Sequence, residues 1–297
     1  MVKEILLGDN PFLGVSHLAQ EKARMELTEI SPLEAKVEVV KAALEGGATG
    51  FTFSTHQPNL ELLNYVGKYY PEILEKLNYY ILTPYAQGYV RGANVSGTAK
   101  LVKTVVRNVA LRNPIGFISS VVTANFSKVA SLFIATEVDP YLRVLPRGRV
   151  GAILLHEVLT ELVVAYNLVE LLEELRRYVE RKLGVGFGLE TRNVGQLAEF
   201  LDVSGVRVEY VMTPINPLGY QMAPSKYEAE ESVRKLADRG VKVIAVNILA
   251  SGAVPLEQAC RYLESYKGSI YAVAYGTAKP YRARGNAMLL KRCLLTA

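Results

Sequence analysis

The sequence predicts a single α/β domain over residues 1–297, an eight-stranded (β/α)8 or TIM barrel with a helical insertion between the third and fourth strands at 113–148. Three observations predict it. Short apolar runs alternate with segments of helical periodicity along the whole chain, the pattern of repeated βα units and a parallel sheet. Eight such runs can be counted, the number that closes a barrel. The chain has 297 residues, 50% hydrophobic and 21% charged, a globular composition large enough for one such core and incompatible with a disordered chain.

The first strand is read at Glu4 to Gly8, entering Asp9-Asn10-Pro11 with no leader pattern of a basic and then an apolar segment. Further strands follow at Gly50 to Phe53, Tyr79 to Thr83, Val150 to His156, Gly184 to Gly188, Val208 to Thr213, Val241 to Asn247 and Ile270 to Tyr275. Between and after them, helices are expected near Pro32 to Glu45, Leu60 to Leu77, Ala99 to Ala110, Thr160 to Lys182, Val194 to Leu201, Lys226 to Arg239, Pro255 to Tyr266 and Arg282 to Leu295. Gly46-Gly47 and Gly240 stand where a left-handed residue ends a helix.

The interval between the third and fourth strands is about 65 residues, twice what one helix and two loops need. Additional helix is therefore expected over Pro114 to Leu145. Its longest apolar stretch, Ile115 to Thr136, is interrupted by Ser119, Ser120, Asn125, Ser127 and Lys128, too polar to cross a membrane. Such a segment can serve as a contact between subunits, as a lid over the barrel mouth, or as internal core; the first of these implies a homo-oligomer.

Net charge is +5 with a pI near 9.0, but the cations are scattered, which suits an anionic small molecule better than nucleic acid. The two cysteines, Cys260 and Cys293, lie in apolar helical contexts without metal or redox spacing. They read as reduced thiols of a cytoplasmic protein. No HxH or HExxH pair supports a metal site.

In a barrel of this kind the chemistry gathers at the C-terminal ends of the strands. Those ends offer Asp9 and Asn10; Ser54 and His56; Tyr85 and Gln87; His156 and Glu157; Glu190, Thr191 and Arg192; Asn216; Asn247 and Ser251; and Thr277 with Lys279. His156 closes an apolar run, so its ring is expected at the mouth, either holding a substrate oxygen and moving a proton or simply hydrogen-bonded in the upper core. Glu190 could be a general base or the partner of Arg192.

The loops after the last two strands point to an anion site. Ser251-Gly252 and Gly276-Thr277-Ala278-Lys279 bring small residues and cations to a helix start, where unpaired N–H groups and the helix dipole favour a phosphate. The same stretch carries a resemblance. Gly240-Val-Lys-Val-Ile-Ala-Val-Asn-Ile-Leu-Ala-Ser-Gly252 resembles the seventh strand and loop of the aldo-keto reductases. Tyr275-Gly-Thr-Ala-Lys-Pro-Tyr-Arg-Ala-Arg-Gly-Asn286 resembles their cofactor-phosphate loop, with Arg284 and Asn286 on matching positions. Ile153-Leu-Leu-His156, Thr213-Pro-Ile-Asn216 and the glycine-containing strand before Gln196 extend the likeness over most of the chain outside the insertion. The resemblance implies NADP(H) as cofactor, held by Asn247, Ser251, Gly252, Gly276, Thr277, Lys279, Arg284 and Asn286, and His156 as a substrate-orienting histidine.

The departures are as informative. The family reduces carbonyls with a tyrosine acid supported by lysine and aspartate, and this sequence aligns Gln57, Pro84 and Thr52 on those three positions. Ile215, Met212, Glu190 and Thr191 stand where the family places its nicotinamide contacts. The usual proton donor is therefore missing, leaving His156, Glu190 and His56 as candidate acid–base groups. Three functions follow: a divergent oxidoreductase with a non-standard proton donor, a non-redox lyase, aldolase or isomerase acting on a sugar phosphate, or a nucleotide-binding protein without catalysis.

Overall fold

The computed structural model describes residues 2–14, 30, 32–83 and 126–295. Eight parallel strands close into a barrel in sequence order: β1 (Glu4–Gly8), β2 (Gly50–Ser54), β3 (Asn78–Thr83), β4 (Val150–Leu155), β5 (Gly186–Glu190), β6 (Tyr210–Pro214), β7 (Lys242–Val246) and β8 (Ala272–Tyr275). β8 pairs back onto β1, Val273 opposite Ile5, so the sheet has no edge. Alternation along each strand makes two cores. Leu6, Tyr80, Leu82, Ala152, Leu154, Tyr210, Met212, Ile244, Ala272 and Ala274 fill the barrel, whereas Ile5, Leu7, Phe51, Phe53, Ile81, Ile153, Phe187, Val211, Val243 and Val273 face the surrounding helices.

Those helices are α1 (Leu33–Gly46), α2 (Gln57–Tyr69), α3 (Pro71–Leu74), α4 (Phe126–Leu142), α5 (Glu157–Ala165), α6 (Val169–Arg177), α7 (Val194–Ser204), α8 (Lys226–Asp238), α9 (Leu256–Glu264) and α10 (Pro280–Leu290). Short π-helical turns at Tyr178–Leu183 and Lys291–Leu295 prolong α6 and α10. Gly47, at φ 97°, closes α1 in the left-handed conformation that its sequence suggested. α1 and α10 then pack so closely that a Cβ on Gly46 would stand 2.4 Å from the Arg284 carbonyl oxygen.

Two expected helices are each divided. The one expected over Leu60 to Leu77 begins earlier, at Gln57, and breaks at Tyr70, because the residue before Pro71 is held out of helical geometry. The one expected over Thr160 to Lys182 begins at Glu157, pauses at Asn167 (φ 50°) and resumes at Val169. The fifth strand starts two residues late, since Gly184 adopts φ 69° at the end of the preceding turn. The shift preserves the parity of the strand, so the inward face is unchanged.

Of the insertion, α4 lies among the described residues. Ile134, Val138 and Tyr141 are buried, and the Tyr141 ring lies 5.3 Å from that of Phe53 on the outer face of β2. That part of its apolar face is internal core. Tyr85, Gln87, Pro84, the helix expected over Ala99 to Ala110 and residues 113–125 of the insertion fall outside the described residues. Among the described residues no helix is long and apolar enough to cross a membrane.

Candidate active site

At the end of β4 the chain turns into α5, and His156 makes that turn. Its Nδ1 accepts the backbone N–H of Val158 at 3.4 Å, capping the helix. A neutral ring whose Nδ1 accepts must carry its proton on Nε2, so His156 presents a donor to the mouth. The ring is buried, and loss of solvation pushes its pKa below the ordinary value, against the Glu157 charge, which raises it. The imidazole is therefore neutral near pH 7.

Glu190 ends β5, paired in register with Met212 of β6, whose side chain fills the barrel. Its Oε2 lies 4.0 Å from His156 Nε2 and accepts the Glu157 N–H at 3.1 Å. Burial is the main reason its pKa is pushed up to about 8; the nearby Glu157 charge adds to the rise, and the Glu157 N–H and Arg192 oppose it. At neutral pH this contact joins an uncharged imidazole to a protonated acid, not two ions. Because Oε2 accepts the N–H, the acid proton is best accommodated on Oε1, the oxygen left for a ligand.

Arg192 is not the partner of Glu190, as one reading of the sequence allowed. It forms a bidentate pair with Glu157, at 2.6 and 2.5 Å, while Glu161 accepts the Arg192 N–H at 3.2 Å. Glu157 and Glu161, the first and fifth residues of α5, thus lock to Thr191 and Arg192, the two residues after β5, and the lock fixes the Glu157 N–H on which Glu190 rests.

Across the barrel, Asp9 follows β1 and is buried. Its Oδ2 accepts the Ser54 N–H at 3.0 Å, the Ser54 hydroxyl at 3.0 Å and Asn59 Nδ2 at 2.6 Å. Burial nonetheless outweighs these bonds and raises its pKa. Asn59, on the first turn of α2, is a site residue that the sequence reading missed; it lies fifty positions from Asp9, and no local motif announces the pair. Thr52, aligned with the family's aspartate, is buried with its hydroxyl unpartnered, one register step below. His56 is the N-terminal flanking residue of α2, on a different loop from His156 and Glu190, and its carbonyl accepts the Tyr141 hydroxyl at 2.9 Å. Among the described residues no group of three or more His, Cys, Asp or Glu side chains could hold a metal.

The loops after β7 and β8 flank the mouth. Asn247, Ala250, Ser251 and Gly252 all adopt positive φ, and Asn247 Oδ1 accepts the Ser251 N–H at 2.7 Å to close the turn. The Asn247 amide donates to Gln221 at 2.9 Å, tying this loop to the one after β6. Gly276 and Thr277 lead to Lys279, which flanks the N-terminus of α10; the Thr277 hydroxyl accepts the Lys279 N–H. Arg284 lies 4.0 Å from Glu45, on the side of α10 that faces α1. Arg282 and Asn286, one helical turn apart, share another face. The sequence places Arg282 with Lys279 and Arg284 among the cations of this helix start, and the family likeness then singled out Arg284 and Asn286; the spacing of four between Arg282 and Asn286 puts those two on one face.

No protein-family model matches the sequence, and comparison with curated proteins gives no match. Solved structures do match. A candidate aldo-keto reductase from Pseudomonas aeruginosa superposes with a TM-score of 0.60 at 14% identity, covering 99% of this chain and 91% of that one. The holo form of a Bacillus halodurans aldo-keto reductase gives 0.59 at 12% identity, covering 100% and 88%. A Bombyx mori aldo-keto reductase in complex with NADP gives 0.53 at 12%, covering 97% and 84%. At these identities the likeness is one of fold, and it extends over nearly the full chain. The protein is thus an aldo-keto reductase-like (β/α)8 barrel in fold, with a strongly divergent sequence.

Proposed function

We propose that the chain is an NADP(H)-dependent oxidoreductase acting on a carbonyl and alcohol pair, with Glu190 as proton donor in place of the missing tyrosine. The observation that supports this reading most is the buried Glu190 carboxyl beside His156, which keeps its proton through neutral pH. His156 Nε2–H orients the substrate oxygen, and Glu190 Oε1–H gives it a proton; in the reverse direction Glu190 takes the proton back. The Glu157–Arg192 pair holds both groups in place.

A donor set suited to a dinucleotide phosphate lies at the start of α10. Lys279 and Arg282 supply charge and Asn286 an amide, beside N–H groups of the first helical turn. Asn247, Ser251, Gly252, Gly276 and Thr277 line the two loops; Arg284, turned toward Glu45, contributes charge at longer range. The nicotinamide end departs from the family: Met212 and Ile215 are apolar and buried, and Asn216 spends both ends of its amide on the Tyr220 backbone. A nicotinamide bound here would supply or accept the hydride.

Titration with NADPH, followed by ligand fluorescence and thermal shift, tests this reading together with NADPH oxidation by a panel of aldehydes and ketones. Saturable binding with oxidation supports it. Thr52, buried where the family has an aspartate, leaves no carboxylate there to support the family's redox chemistry, and this favours a second reading, a non-redox lyase, aldolase or isomerase of a sugar phosphate. A response to inorganic phosphate or a sugar phosphate, with none to NADPH, would select that reading. Tight NADPH binding without oxidation would leave a nucleotide-binding protein.

A further inference from the structure

The loop after β6, which runs from Ile215 to Ser225, is bonded to the loops on both sides of it. On one side the Ala223 N–H donates to the Arg192 carbonyl at 2.9 Å, beside a parallel bridge between Ala223 and Asn193. On the other, Gln221 Oε1 accepts the Asn247 amide at 2.9 Å, and Tyr220 packs on the small cluster of Ala250, Val254 and Ala259. We propose that Gln221 is a positioning residue for the cofactor, acting through Asn247 to hold the turn after β7 in the shape that receives a dinucleotide.

That turn depends on outside support. Asn247, Ala250 and Ser251 stand at φ 49°, 45° and 58°, left-handed conformations that side chains disfavour and that persist where neighbours fix them. Asn247 does much of the fixing: its backbone carbonyl accepts the Ala250 N–H at 2.9 Å and its Oδ1 the Ser251 N–H at 2.7 Å. The orientation of its amide follows. With Oδ1 committed to an N–H, Nδ2 is the atom turned to Gln221, and only an acceptor suits it there. Gln221 stands at φ 61°, a disfavoured backbone conformation of its own, and from it the side-chain oxygen crosses to Asn247.

The N–H groups of Ala250 to Val254 all donate within the turn, to Asn247, Leu249 and Ala250. The turn therefore meets a ligand through its outline and side chains rather than through those amides. Its shape is what Gln221 controls.

This role rests on the reading of the last two loops as a dinucleotide site, so one arm of the test needs no ligand. Gln221→Met removes the acceptor at similar length, and Gln221→Glu keeps an acceptor. Hydrogen exchange of residues 248–254, read by mass spectrometry on the ligand-free proteins, should quicken about 5-fold to 15-fold in Gln221→Met, the scale of one lost hydrogen bond, and stay at the wild-type rate in Gln221→Glu. In the second arm, the NADPH dissociation constant and KM should rise by the same factor in Gln221→Met while kcat stays within about two-fold of wild type. Unchanged exchange in Gln221→Met, equally fast exchange in both variants, or unchanged NADPH affinity in Gln221→Met beside a wild type that binds would each overturn the proposal. A wild type that binds no NADPH overturns the dinucleotide reading and this role with it, a failure told apart by the exchange arm, in which the tie to Asn247 still shows.

Discussion

Replacing Glu190 with Gln removes the ionisable group while keeping its size, and the consequence for stability can be worked out. The Glu190 pKa is 4.5 unfolded and about 8 in the fold. The folded state therefore binds more protons than the unfolded state between those limits, and stability falls as pH rises through that window. Each pH unit inside it is worth about 1.4 kcal/mol. Between pH 6 and pH 9 about two units lie below the folded pKa, so wild-type stability should fall by about 3 kcal/mol more than that of Glu190→Gln. Urea unfolding of both proteins at the two pH values, compared at equal m, measures this. Parallel pH dependence of the two would refute the account of a buried, protonated Glu190.

Other expectations follow from the same geometry. Glu157→Gln removes the second cause of the Glu190 shift, so the pH window just described should narrow from its upper end in the same unfolding experiment. Arg192→Ala breaks a bidentate ion pair and leaves Glu157 with its carboxylate uncompensated, at a cost of about 1.5–3 kcal/mol read by urea unfolding. Asn59→Ala takes the shortest of three donors from the buried Asp9 and should destabilise by about 1–3 kcal/mol, less at low pH where Asp9 is protonated. Gly46→Ala drives a methyl into the Arg284 backbone and the Ala287 Cβ and should cost about 1–3 kcal/mol by overpacking, read as a lowered urea midpoint.

The barrel was legible because its signal is periodic: short apolar runs recurring between amphipathic stretches define βα units even when each boundary is off by a residue or two. β1 was legible in full, and the same apolar runs at β4 and β5 brought His156 and Glu190 to strand ends. What the sequence hid is long-range pairing. The grip of Asn59 on Asp9 and that of Arg192 on Glu157 join residues 50 and 35 positions apart. Proximity in sequence favoured Glu190 as the arginine's partner, but Glu190 turns into the barrel while Arg192 lies beyond the strand end and reaches α5. The start of α5 was read three residues late because a histidine ring nitrogen caps it, a role that the common capping residues do not advertise. Arg284 was favoured over Arg282 on local likeness, and only the face of α10 on which each stands distinguishes them.

Glu190 as proton donor is tested by NADPH oxidation with wild type and Glu190→Gln side by side, using a carbonyl substrate found in the panel and measuring NADPH affinity in parallel. Both proteins should bind NADPH equally, and the substitution should slow turnover by about 100-fold to 10,000-fold, the range for losing a general acid. Turnover by Glu190→Gln at the wild-type rate, with NADPH bound, would contradict it.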